Sequence, residues 1–193
     1  MQKLREKVYC FYSYKAYQES ITNKITQLTK EGLGIRSTAR YLKISTTTLL
    51  KRILLIASKI QLPVIAMHQR YEVDEIKSFI RKKKREIFIV YALNRTTKEV
   101  VSFNVGSRTK KTLKVVTDTL LLSDAKRIYT DGFPSYRYLM SGKVHCEWQY
   151  QTNHIERMNL NLRTHLKRLN RRTICFSKSV AMLAACLKIY FWG

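Results

Sequence analysis

Residues 71–80, Tyr-Glu-Val-Asp-Glu-Ile-Lys-Ser-Phe-Ile, open a run of segments whose reading decides the fold. Together with 86–93 (Glu-Ile-Phe-Ile-Val-Tyr-Ala-Leu) and 99–105 (Glu-Val-Val-Ser-Phe-Asn-Val), they are rich in β-branched and aromatic residues, which pack well on a pleated surface. The stretches between them, Lys82-Lys83-Lys84 and Asn94-Arg95-Thr96-Thr97, read as turns, so a three-strand meander is expected. Beyond Ser107 and Thr109, either of which can cap a helix, Leu113, Val116, Leu120 and Leu121 restore helical spacing. Lys126 to Thr130 reads as a fourth strand, broken at Asp131-Gly132-Phe133-Pro134. A short helix from Ser135 to Leu139 ends at Gly142, and 144–148 reads as a fifth strand. Across 153–172, Ile155, Met158, Leu162, Leu166 and Leu169 recur at intervals of three and four, the period of an amphipathic helix.

Three strands, helix, strand, helix, strand, helix is the element order of the ribonuclease-H-like α/β fold, a mixed sheet with helices, here expected over 70–193. Ahead of it, Ile21, Ile25 and Leu28 form a helical pattern that halts at Glu31-Gly32-Leu33-Gly34. Ile35, Ala39 and Leu42 make one short apolar face, Lys43-Ile44-Ser45 a turn, and Leu50, Ile53, Leu54 and Ala57 a second face. Two short helices joined by a tight turn follow the plan of a helix-turn-helix, an all-α module expected over 19–62. Ser45, Thr46 or Thr47 would cap its second helix. Thr46, Thr47, Thr48 and Lys51 would face the major groove of DNA, with Arg36, Arg40, Lys51 and Arg52 on phosphates. An ordinary helical hairpin is the alternative. Residues 1–18, with aromatics crowded around Cys10, read as the remnant of an upstream segment.

The chain of 193 residues carries 37 lysines and arginines against 13 acids, a net charge of +24, which favours a polyanionic partner, nucleic acid above all. No apolar run approaches the ~20 residues that span a bilayer, and no signal-peptide pattern follows Met1, so a cytoplasmic protein is expected. Cys10, Cys146, Cys175 and Cys186 form no Cys-x-x-Cys pair; free thiols are expected, with neither disulfides nor a zinc site.

With so few acids, each is informative. Asp74 lies within the first strand, and alternation sends its neighbour Glu75 to the opposite face, where it is not expected to share the role of Asp74. Asp131 ends the fourth strand beside a glycine, and Glu156 begins the later helix, on one flank with Asn159, Arg163 and Lys167. If the first and fourth strands are neighbours and this helix crosses them, Asp74, Asp131 and Glu156 converge. Three such carboxylates need a cation, and hard oxygen ligands suit Mg²⁺ or Mn²⁺, a pair of which can serve phosphodiester cleavage or strand transfer. Singly, each acid also reads as an ordinary turn or surface residue. His154 and His165 stand about three turns apart on that helix and cannot share one ion, though His154 could sit near Glu156 as a hydrogen-bond donor or proton relay, and Asn159 lies beside that acid where a scissile phosphate would pass, in catalytic support.

Gly-Ile-Arg-Ser-Thr-Ala-Arg-Tyr-Leu (34–42), Val-Asp-Glu (73–75), Tyr-Thr-Asp-Gly-Phe-Pro-Ser-Tyr (129–136), the block from His154 to Thr173 and Phe-Ser-Lys-Ser-Val (176–180) closely resemble transposases of the insertion-sequence-one family. The resemblance covers nearly the whole chain. It implies a helix-turn-helix that binds terminal inverted repeats and an Asp-Asp-Glu triad mapping onto Asp74, Asp131 and Glu156. Members commonly carry a Cys-rich zinc ribbon ahead of the helix-turn-helix, and here only the stretch around Cys10 stands where its end would be.

Two functions are therefore expected in competition. One is a DNA transposase, homo-oligomeric on DNA, whose basic segments 82–85 and 167–172, including Lys167 and Arg171, hold target or flanking DNA with Arg163. The other is a truncated, catalytically silent DNA-binding protein that represses the intact element. A ribonuclease or RNA binder would explain charge and fold but leaves the helix-turn-helix without a purpose.

Overall fold

The computed structural model describes residues 18–147, 152–170 and 173–193. Three helices come first: α1 (Glu19–Lys30), α2 (Ile35–Leu42) and α3 (Thr46–Lys59). The turn between α2 and α3 is made by Lys43 in the left-handed region, φ 53°, and by Ser45, whose Oγ accepts from the Thr48 N–H at 3.0 Å and caps α3. The expected helix-turn-helix is present, with one difference in rotation. The buried face of α3 is Leu49, Ile53, Ile56 and Ala57, while Leu54 is exposed and Leu50 half-buried. In the run Leu49-Leu-Lys-Arg-Ile-Leu-Leu-Ile-Ala57 two apolar stripes compete, and the one chosen carries Arg52 inward.

The sheet has the order β3-β2-β1-β4-β5, with β1 (Arg70–Phe79), β2 (Glu86–Asn94) and β3 (Val100–Gly106) antiparallel, and β4 (Arg127–Thr130) and β5 (His145–Glu147) parallel to β1. The helices are α4 (Lys110–Leu122), α5 (Ser135–Leu139), α6 (Asn153–His165) and α7 (Val180–Trp192). This order and polarity are those of the ribonuclease-H-like fold. Alternation sorts the two faces: Tyr71, Val73, Val90 and Ala92 pack with α4 and α5, and Ile76, Ile89, Tyr91 and Leu93 pack with α6 and α7.

Helix α6 is shorter than expected, ending at His165; Leu166 is extended and Lys167–Leu169 form one 3₁₀ turn. The stop coincides with a close approach: Gly32, at φ +69°, lies so near that a Cβ there would fall 1.7 Å from the His165 carbonyl oxygen. The apolar stripe survives the break, for Ile155, Leu162, Leu166 and Leu169 are all buried on the sheet, each contributing roughly 1.5–3 kcal/mol.

Helix α7 has no polar side. Leu183 and Leu187 join the sheet core, whereas Met182, Ala185, Cys186 and Ile189 complete the core of α1–α3. Cys146, Cys175 and Cys186 are free thiols, and Cys10 lies outside the described residues. No helix among the described residues is long and apolar enough to cross a membrane.

Candidate active site

Strand β1 pairs with β4 only from Arg70 to Glu72, and Glu72 stands opposite Tyr129. Two residues further along each strand are Asp74 and Asp131, so the register delivers both acids to the place where β4 has ended. There, carboxylate oxygens of Asp74, Glu75 and Asp131 lie within 4.8 Å of one another. Asp131 is exposed and Asp74 partly buried; the Glu75 side chain is 2% exposed.

Glu75 corrects an expectation. Alternation does send it to the α4–α5 face, where Tyr136 Oη donates to it at 2.9 Å and Arg108 at 3.0 Å. Its longer side chain nevertheless reaches Asp131, because beyond Glu72 no paired strand separates the two faces on that side of β1. Arg108 is itself stacked over Phe133, 3.7 Å from the ring centroid. Tyr136, five residues after Asp131, ends the 129–136 motif, but nothing in the sequence pairs it or Arg108 with Glu75.

Asp74 is held from α6. Asn159 Nδ2 donates to its Oδ2 at 2.5 Å, and Asn159 Oδ1 accepts from the Tyr91 hydroxyl at 2.7 Å. Tyr91 is the cross-strand partner of Asp74. Burial pushes the Asp74 carboxyl up to about 6, and the negative charges of Asp131 and Glu75 add to this against the hydrogen bonds from the Glu75 N–H and Asn159. Burial also raises Glu75, opposed by Tyr136 and Arg108. These are hard oxygen donors crowded enough to disfavour their own charge, a set that fits a divalent cation such as Mg²⁺ or Mn²⁺.

Glu156 stands outside that group. It is exposed on the first turn of α6, three residues before Asn159, and its Oε1 accepts from Thr152 Oγ1 at 3.1 Å. His154 turns instead to Glu72: its Nδ1 lies 2.6 Å from Glu72 Oε1, while the Ile155 N–H donates to Glu72 Oε2 at 2.9 Å. Glu72 is fully buried and also has Arg95 Nε at 3.4 Å. It thus pins the N-terminus of α6 to β1, a favourable placement for an acid. His165 pairs with the Tyr190 hydroxyl at 2.7 Å.

Of the residues expected on DNA, Arg36, Arg40, Thr46, Thr47, Lys51 and Lys167 are exposed. Thr48 is half-buried and committed to the cap through Ser45. Arg52 differs from the expectation: it is buried and donates to Thr22 Oγ1, tying α3 to α1, because it lies on the inward stripe of α3. Arg163 donates to the Leu169 carbonyl across the break after α6. Arg171 lies outside the described residues.

Comparison with known proteins adds the following. A family described as IS1 transposase matches residues 68–191, and one described as InsA C-terminal domain matches 12–54. "Insertion element IS1 4 protein InsB" of Escherichia coli (strain K12) is 40% identical over 111 residues, 58% of this chain and 66% of that protein. "Insertion element IS1 protein InsB" of Shigella flexneri is 39% identical over 111 residues, 58% of this chain and 85% of its own length. The match spans just under two-thirds of the first of these relatives. Among solved structures, the HTLV-2 integrase catalytic core domain in complex with magnesium aligns over 66% of this chain and 86% of that chain, at 14% identity and TM-score 0.41. A simian T-cell lymphotropic virus intasome aligns over 84% of this chain and 66% of that chain, at 15% identity and TM-score 0.46. The sheet order β3-β2-β1-β4-β5 defines the fold by itself.

Proposed function

The chain belongs to the IS1 transposase family, and on that footing we propose that it binds the ends of an insertion sequence and cuts and joins DNA strands there. The observation that carries this reading is the meeting of Asp74, Glu75 and Asp131 at the end of β4, in a chain of net charge +24. Isolated acids on so basic a protein would be spread out to meet its cations; here they are gathered.

Asp74 and Asp131 would hold the cation, Mg²⁺ or Mn²⁺, and Glu156 would join them from α6 by leaving Thr152. When bound, one or two such ions activate a hydroxyl and stabilise the leaving oxygen in phosphodiester cleavage and strand transfer. Asn159 fixes the rotation of Asp74, Tyr91 fixes Asn159, and Glu72 fixes the start of the helix that carries both Asn159 and Glu156. His154 acts through Glu72 rather than on the acids. Arg36, Arg40, Thr46, Thr47 and Lys51 would meet the inverted repeats, consistent with a protein acting on the bacterial nucleoid in the cytoplasm, as a homo-oligomer on paired ends.

Asp131→Asn is expected to reduce strand transfer by at least ~10³-fold while end-DNA affinity stays within about twofold. Retained joining by that variant would sink the assignment. The rival reading, a silent DNA-binding repressor, draws on the position of Glu156 outside the acid group. It predicts that the wild-type chain binds end DNA yet never cleaves it with Mg²⁺ or Mn²⁺.

A further inference from the structure

We propose that the groove between the helix-turn-helix and the segment after α6 grips the backbone of the same duplex that α3 reads. The exposed Lys167 and Lys178 would then be ligands of the element end, and not of target DNA, with Arg168, half-buried and donating to Ser177 Oγ at 3.0 Å, adding its charge behind them. This rests on the reading of the chain as an end-binding transposase.

The groove is a cavity of about 710 Å³ with Arg36 and Thr46 of the helix-turn-helix on one wall and Lys167, Arg168 and Lys178 on the other. Among the described residues four cations line it and no acid does. Helices α2, α3 and α7 all begin at its wall, at Ile35, Thr46 and just after Ser179, which adds the partial positive charge of helix N-termini to that of the side chains, although Ser45 and Ser179 already cap α3 and α7. At α2 the N-cap is Gly34, and no side chain caps its first turn.

The remaining wall is apolar, including Leu50 and Phe176. A nucleic-acid strand alternates anionic phosphate with largely apolar deoxyribose, and cations interspersed with apolar wall match that alternation better than they match a free anion.

The two walls also belong to one body. Gly32, at the rim, abuts the His165 carbonyl so closely that no side chain would fit, and α7 is shared by both cores. A duplex seated on Arg36 and Thr46 therefore finds Lys167 and Lys178 at a fixed position.

The test is fluorescence anisotropy with the full chain, using a labelled duplex of the terminal inverted repeat and a scrambled duplex of equal length across a salt series. For Lys167→Ala/Lys178→Ala we expect end-duplex affinity to fall ~10–100-fold at low salt and the slope of log K against log salt to lessen by roughly 2. Arg36→Ala should lessen it by about 1, and the triple variant by about 3. Lys167→Gln/Lys178→Gln, which keeps side-chain length, should behave as the alanine pair does. The proposal is overturned if both pairs bind the end duplex with wild-type affinity and slope, whether or not joining to target falls; a fall in joining alone would assign these lysines to target DNA. A wild-type chain that does not prefer the end duplex to the scrambled one overturns the end-binding reading and this proposal with it.

Discussion

The surroundings of Glu72 and those of Asp74 lie two residues apart on one face of β1 and are furnished in opposite ways. Glu72 is fully buried and receives His154, the first turn of α6 and Arg95. Asp74 receives a neutral amide, Asn159, and the company of two further acids. One carboxylate has its complement built in; the other has been left wanting a positive charge. Buried charge without a partner is expensive, so it persists where something outside the chain supplies the partner. The same strand thereby separates an acid that holds the fold from an acid that, under the proposed function, would hold the cation.

The contrast can be broken most sharply by neutralising each acid in turn. Asp74→Asn should lower strand transfer by at least ~10³-fold yet leave the melting temperature unchanged or raised, since it removes a desolvated carboxylate. Glu72→Gln should do the reverse to stability, costing about 1–3 kcal/mol in denaturant unfolding because the Ile155 N–H, His154 and Arg95 lose a charged acceptor. If both variants melt alike, the distinction drawn here fails.

A second prediction concerns pH. Asp74 has a folded value of about 6 against an ordinary 3.8. Between these values the folded state holds the proton more often than the unfolded chain, so this group's contribution to stability is present at low pH and lost as pH rises through that window. Metal-free protein should lose roughly 2–3 kcal/mol from this source between about pH 4 and 6, and Asp74→Asn should lose none of it. Added Mg²⁺ or Mn²⁺ should oppose the loss, raising the melting temperature of the wild type above pH 6 but not that of Asp74→Asn. Gly32→Ala, which puts a side chain at positive φ and into the His165 carbonyl, should cost at least about 3 kcal/mol with the pH profile unchanged, because the backbone clash adds to the conformational strain.

Much of this was legible in the sequence wherever the signal is local. Ser45 before a helix and Gly-bounded short apolar faces are read within a few residues, and so are strands parted by lysine or Asn-Arg-Thr-Thr turns. Asp131 stood out because a strand ended on it. What escaped depends on partners far along the chain. Glu72 looks like any strand acid until α6, more than eighty residues away, places its first turn on it. Glu75 was assigned to a face correctly, but face alone does not say how far a glutamate reaches once the neighbouring strand has stopped. Arg52 was read as a DNA ligand because its helix offers two apolar stripes one residue out of step, and only packing against α1 and α7 chooses between them.

Helix α7 also ties the fate of two parts of the molecule together. Its thirteen residues complete two cores at once. Without them the sheet would lack one covering helix, and α1–α3 would expose the face that Met182, Ala185, Cys186 and Ile189 fill. A substitution that loosens α7 is therefore expected to weaken the helix-turn-helix and the acid-bearing sheet as one cooperative unit.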